Sequence, residues 1–159
     1  MNLEFTVQTR IQKPIAEVFD AVYNPDKMVK YFPQAGVKGA MDADTTVYWQ
    51  FSHEENHRDP IAVHVKKMEK NKRIIFEWRA NERDNKNPDY NTTVEMTFES
   101  LSAGETLVKI TESGWRDNDA ALAGSYQNCN GWTQMMASLK TWVEHGFALG
   151  MDGCGSKSH

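Results

Sequence analysis

The chain has little of what builds a stapled, metal-bound or membrane-spanning protein. It holds two cysteines in 159 residues, Cys129 and Cys154, and neither has a thiol or histidine companion at metal-site spacing. Two free thiols in a reducing cytoplasm are expected, and no bridge. The histidines, His53, His57, His64, His145 and His159, lie scattered without an HExxH or CxxC partner, so neither a metal nor a cofactor is expected. No apolar run approaches the roughly 20 residues of a spanning helix, and the mean hydropathy is −0.66. The opening MNLEFTVQTRIQK alternates and carries charge, which reads as a strand and not as a secretory leader. A basic excess is missing too. Lys+Arg 18 against Asp+Glu 22 leaves a net charge of −4, which argues against a nucleic-acid partner. Nucleophile elbow, phosphate loop and dinucleotide fingerprint are all absent, so no catalytic residue is assigned.

What is present suits a globular fold. Apolar residues make up 40% and aromatics 11%, enough at this length to form a core without staples. Leu3, Phe5, Val7 and Ile11 alternate with Glu4, Thr6, Gln8 and Arg10, the pattern of a half-buried strand. Pro14 then opens a helix on which Ile15, Val18, Phe19 and Val22 share one face. Asn24-Pro25-Asp26 repeats the start signal for a short second helix leading to Tyr31-Phe32-Pro33. From residue 34 to 100 the period is two. Val47-Trp49-Phe51, Ile61-Val63-Val65, Ile74-Phe76-Trp78 and Val94-Met96-Phe98 mark successive strands, and Thr106-Val108-Ile110 marks a last one. His53–Arg58 reads as a hairpin turn, and residues 81–91 as a long solvated loop. Short connections make the sheet antiparallel.

Asp117-Asn118-Asp119 offers caps for a helix running to His145, with Gly146 as its C-terminal stop. Tyr126, Cys129, Trp132 or Thr133, Met136, Leu139, and Trp142 or Val143 trace one face of it. A span of about 28 residues reaches roughly 42 Å, the only element long enough to cover a curved sheet. The expected fold is therefore α+β and helix-grip. A curved antiparallel sheet of about six to seven strands wraps a long C-terminal helix, with two short helices after the first strand. Residues 1–147 are expected to form one domain and 148–159 a flexible tail.

Order and markers together carry a resemblance. IQKPIAEVFDAVYNPDKMVKYF, RIIFEW (73–78), SGW (113–115) and GWTQMMASLKTWVEHG (131–146) resemble the START/Bet v 1-like helix-grip superfamily. Within it the chain is most similar to the activator of Hsp90 ATPase homologue 1-like group. The usual Gly-Gly entry to the third strand is replaced by DADTTVYW (42–49). The resemblance implies a domain that binds an apolar ligand between sheet and helix, a chaperone regulator, or a polyketide cyclase-like enzyme.

The stretch NCNGW (128–132) is unusual inside a helix, because Asn and Gly each cost several tenths to about 1 kcal/mol relative to Ala. Two readings follow. In one, residues 124–131 border an open pocket with Asn130 facing inward, and 132–143 pack the core. In the other, Gly131 lets the helix cross the sheet closely and the Asn side chains face water. Tyr31 and Phe32 are placed near a lid. Trp49, Phe51, Trp78, Trp115, Tyr126, Asn130 and Met135 are candidate walls for a small apolar or aromatic molecule. An enzyme would instead need Tyr126, His64 or Glu95 turned inward. Strand phase sends Glu77 and Glu95 to the solvent face.

Overall fold

The computed structural model describes residues 2–52 and 59–149. The turn expected at His53–Arg58 and nearly all of the expected tail lie outside the described residues. The first strand, β1 (Phe5–Ile11), is followed by two helices, α1 (Ile15–Tyr23) and α2 (Pro25–Met28). The strands β2 (Gly36–Lys38), β3 (Thr45–Gln50), β4 (Ile61–Glu69), β5 (Arg73–Arg79), β6 (Asn91–Ser102) and β7 (Glu105–Ser113) come next, and then α3 (Asp119–His145). The sheet has seven strands in the order β1-β7-β6-β5-β4-β3-β2, every pairing antiparallel. This is the expected helix-grip arrangement, with the curved sheet wrapped on α3. Register shifts between Val65 and Lys67, and between Ser100 and Ser102, add local bends.

Local chemistry explains the element ends. The Asn24 side chain accepts from the Asp26 N–H at 3.0 Å and starts α2. Asn118 does the same for α3, accepting from the Ala121 N–H at 2.8 Å. Gly146, at φ 81, closes α3 with its N–H on the Trp142 carbonyl at 2.8 Å. Only glycine takes that left-handed turn without strain.

The inward sheet face carries Val47, Trp49, Val63, Val65, Ile74, Phe76, Val94, Met96, Val108 and Ile110, all buried. Trp132, Met135, Met136 and Leu139 of α3 close over it. The C-terminal half of α3 is also tied to β1. Lys140 Nζ donates to the Arg10 carbonyl at 2.5 Å, and Glu144 Oε2 accepts from the Gln12 N–H at 2.8 Å.

Two expectations change. β2 is absent from the sequence reading, because three residues are too few for a period of two to register. The loop at 81–91 is exposed at 83–87, Asp89 and Asn91 but not throughout. Its flanks are pinned. The Ala80 N–H donates to the Tyr90 carbonyl and the Arg83 N–H to the Ala120 carbonyl, each at 3.0 Å. Glu82 and Pro88 are buried. Polar composition looks the same whether its partner is water or the side of a helix.

Candidate functional site

Three adjacent strands carry their inward phase past the apolar stretch onto a residue with a polar handle. On β5 the phase runs Ile74, Phe76, Trp78; on β6 it runs Phe98, Met96, Val94, Thr92; on β7 it runs Val108, Ile110, Glu112. The pairings Trp78 with Thr92 and Val94 with Glu112 bring all three handles to one end of the sheet. Asn128 and Trp132, one turn apart on α3, reach the same point from above.

They converge on the Glu112 carboxylate, which is 0% exposed. The Trp132 indole donates to Oε1 at 2.9 Å. The Trp78 indole donates to Oε2 at 3.0 Å, and the Thr92 hydroxyl to the same oxygen at 2.6 Å. Asn128 Nδ2 bridges both oxygens, each at 3.1 Å. All four donors are neutral, and no Lys, Arg or His pairs with Glu112 among the described residues. Burial pushes its carboxyl above the ordinary range, while the hydrogen bonds from Thr92, Trp78, Trp132 and Asn128 oppose that rise. Asn128 is held in turn, since its Oδ1 accepts from Asn81 Nδ2 at 3.2 Å.

The two anchored indoles belong to a larger ring cluster. Trp78 and Trp132 lie 5.3 Å apart, and Trp49 sits 5.8 Å and 6.4 Å from them. Phe32 and Phe76 complete the buried part, with Phe51 against Phe32 at 5.1 Å. Trp78 and Phe51 are the half-buried members of the cluster, each against Trp49. The Trp49 indole N–H is buried without a hydrogen-bond partner among the described residues.

The candidate walls are therefore divided. Phe32, Trp49, Phe51 and Trp78 come together with Trp132 in one ring cluster, in which Trp78 and Trp132 bond Glu112. Tyr31 is no lid residue; it is fully buried, donates to the Ala21 carbonyl at 2.8 Å and stacks on Trp142. Met135 is fully buried in the main core, and Trp115 packs in a separate small cluster with Leu3 and Ala121. The expectation that Tyr126 and Asn130 face inward is corrected, since Tyr126 is 67% exposed and Asn130 is exposed. The face traced through Tyr126 and Cys129 is off by a fraction of a turn, and the buried positions up to Trp132 are Ala121, Gly124, Ser125 and Trp132. Residues 124–131 do not border an open pocket at their first turn. A Cβ on Gly124 would sit 1.8 Å from the Asn81 carbonyl oxygen, so chain fills that space.

His64 and Glu95 lie on the outer sheet face. His64 Nδ1 is 3.1 Å from the Thr46 hydroxyl, and Glu95 accepts from Arg73 at 3.3 Å. Neither they nor Tyr126 approach the interior. Glu112 and Thr92 are the site residues that sequence reasoning missed, and Asn128, not Asn130, is the asparagine of NCNGW that reaches the site. The signal was the unbroken phase Thr106-Val108-Ile110-Glu112. Among the described residues no cluster of His, Cys, Asp or Glu could hold a metal, and no helix is long and apolar enough to cross a membrane.

Comparison with known proteins agrees with this fold. No curated protein matches the chain. Solved structures do, at identities that speak for the fold. A protein from Staphylococcus saprophyticus is 21% identical with a TM-score of 0.73, covering 92% of this chain and 96% of its own. The Aha1 dimer from Colwellia psychrerythraea is 20% identical with a TM-score of 0.71, covering 91% and 98%. An HSP90 activator from Plasmodium falciparum is 17% identical with a TM-score of 0.61, covering 83% and 89%. The family model described as activator of Hsp90 ATPase homolog 1-like protein matches residues 12–144. That match takes in six of the seven strands, β2 to β7, with the Glu112 assembly and nearly all of α3, and the chain belongs to this family.

Proposed function

We propose that the protein binds a small apolar or aromatic molecule at the tryptophan-lined end of the sheet–helix interior. The observation that carries this reading is the buried Glu112 carboxylate holding the Trp78 and Trp132 indoles in fixed orientation. A core gains little from a buried charge, because well-packed apolar residues do as well or better. A ligand site does gain, since its ring faces must be set before the ligand arrives. Phe32, Trp49, Phe51, Trp78 and Trp132 form the wall in this reading. Trp49 offers an unpartnered N–H to an acceptor on the ligand. Native mass spectrometry of freshly purified protein, compared with its denatured mass, tests it. A discrete extra mass lost on denaturation is expected. A bare chain that stays bare after exposure to a library of ring-bearing molecules would sink the reading.

The family match favours a second reading, regulation of a chaperone. One structural neighbour is described as an HSP90 activator. On that reading the chain raises the ATPase rate of Hsp90, and a rate unchanged by saturating protein removes it.

A further inference from the structure

Two rings of the cluster hold a buried carboxylate that has no cation beside it among the described residues. Glu112 is fully buried, and the groups that face it from β5, β6 and α3 are Trp78, Thr92, Asn128 and Trp132, none of them charged or titratable. Both oxygens only accept, and from neutral donors, a pattern that favours the ionised carboxylate and supplies no positive charge to offset it. An uncompensated charge in a low-dielectric interior attracts any cation that can approach, more strongly than it would in water. The indoles add to this. An indole N–H donated to a carboxylate pushes electron density onto the ring, and the ring face already attracts cations through its quadrupole. Trp78 is half-buried, so one such ring is reachable from solvent. We infer that the ligand of this site is an organic cation, a protonated or quaternary amine carried on a ring or short apolar frame. It seats against the half-buried Trp78 ring, with Glu112 supplying the opposing charge from behind the indole.

The inference rests on the ligand-binding reading above and is tested separately from it. Benzyltrimethylammonium is titrated against the full chain by tryptophan fluorescence, alongside neopentylbenzene, its uncharged isostere. The cation should bind about tenfold or more tighter than the isostere, the scale of a desolvated cation–π contact. The chain's net charge of −4 draws any cation weakly, so the control is Glu112→Gln, in which the preference should shrink. Should that variant fail to fold, the pH series on the unaltered protein decides. Acid that protonates Glu112 should lower the affinity for the permanently charged probe toward that of the isostere and leave the isostere's unchanged. Equal or tighter binding of the isostere overturns the cation inference and leaves the ligand-binding reading standing. If neither probe binds, the inference falls, and a bare chain in the mass measurement then takes the broader reading with it.

Discussion

Glu112 and Glu69 are two carboxylates in one sheet whose surroundings pull in opposite directions. Glu69 lies on the outer face, where Arg73 and then Lys67 hold its carboxyl down to about 2. Glu112 lies on the inner face, where burial raises it. The signs follow from proton counting. Glu69 binds fewer protons folded than unfolded, so its contribution is present above the ordinary carboxylate value and is lost as the pH falls toward 2. Glu112 binds more protons folded than unfolded. Its penalty is absent at acid pH and grows as the pH rises from 4.5, its unperturbed value, through its raised folded value. Replacing Glu112 with Gln should therefore remove a fall in stability with rising pH, read from urea midpoints across the acid-to-neutral range. Truncation to Ala should destabilise at every pH, because each buried donor left without an acceptor costs about 1–3 kcal/mol. The residue was readable from strand phase alone, since Glu112 follows Ile110 at the same spacing as Val108 and Thr106. Its partners were not readable, because Thr92, Trp78 and Asn128 meet it only through the register of three strands and one helix.

At the scale of elements, the first half of α3 is shaped by what presses on it. Gly124 is where the Asn81–Glu82 backbone touches the helix, and Asn81 extends from there to Gln127 Oε1 at 2.8 Å and to Asn128. Gly124→Ala should force the loop off the helix at a cost of about 1–3 kcal/mol, the usual range for overpacking. Since Asn81 also holds Asn128, the same variant should loosen the Glu112 assembly, visible as a shift in tryptophan emission. Ends and middles of elements differed in how legible they were. Asn24, Pro25, Asn118 and Gly146 act within a turn of themselves, so the helix boundaries could be read directly. The face of α3 near Tyr126 could not. Small and polar residues from Gly124 to Gly131 leave no clear apolar stripe, and what contacts them is a loop whose Asn81 lies 43 residues before Gly124 in sequence.

On the scale of the whole molecule, the tryptophan cluster joins β3, β5 and α3, so one optical signal reports on sheet and helix together. Urea unfolding followed by tryptophan emission and by far-ultraviolet circular dichroism should give coincident midpoints. A helix signal lost at lower urea than the emission change would show that α3 leaves the sheet before the sheet opens. The sheet is open, and an open sheet has two rims at which a foreign strand could add. At one rim β2 is only three residues long and offers little ladder. At the other, the Lys140 ammonium occupies the Arg10 carbonyl and the Glu144 carboxylate occupies the Gln12 N–H just beyond β1. The helix that covers the interior thus also blunts the longer rim, and the molecule resists chain-to-chain sheet growth by the same contact that fixes its shape.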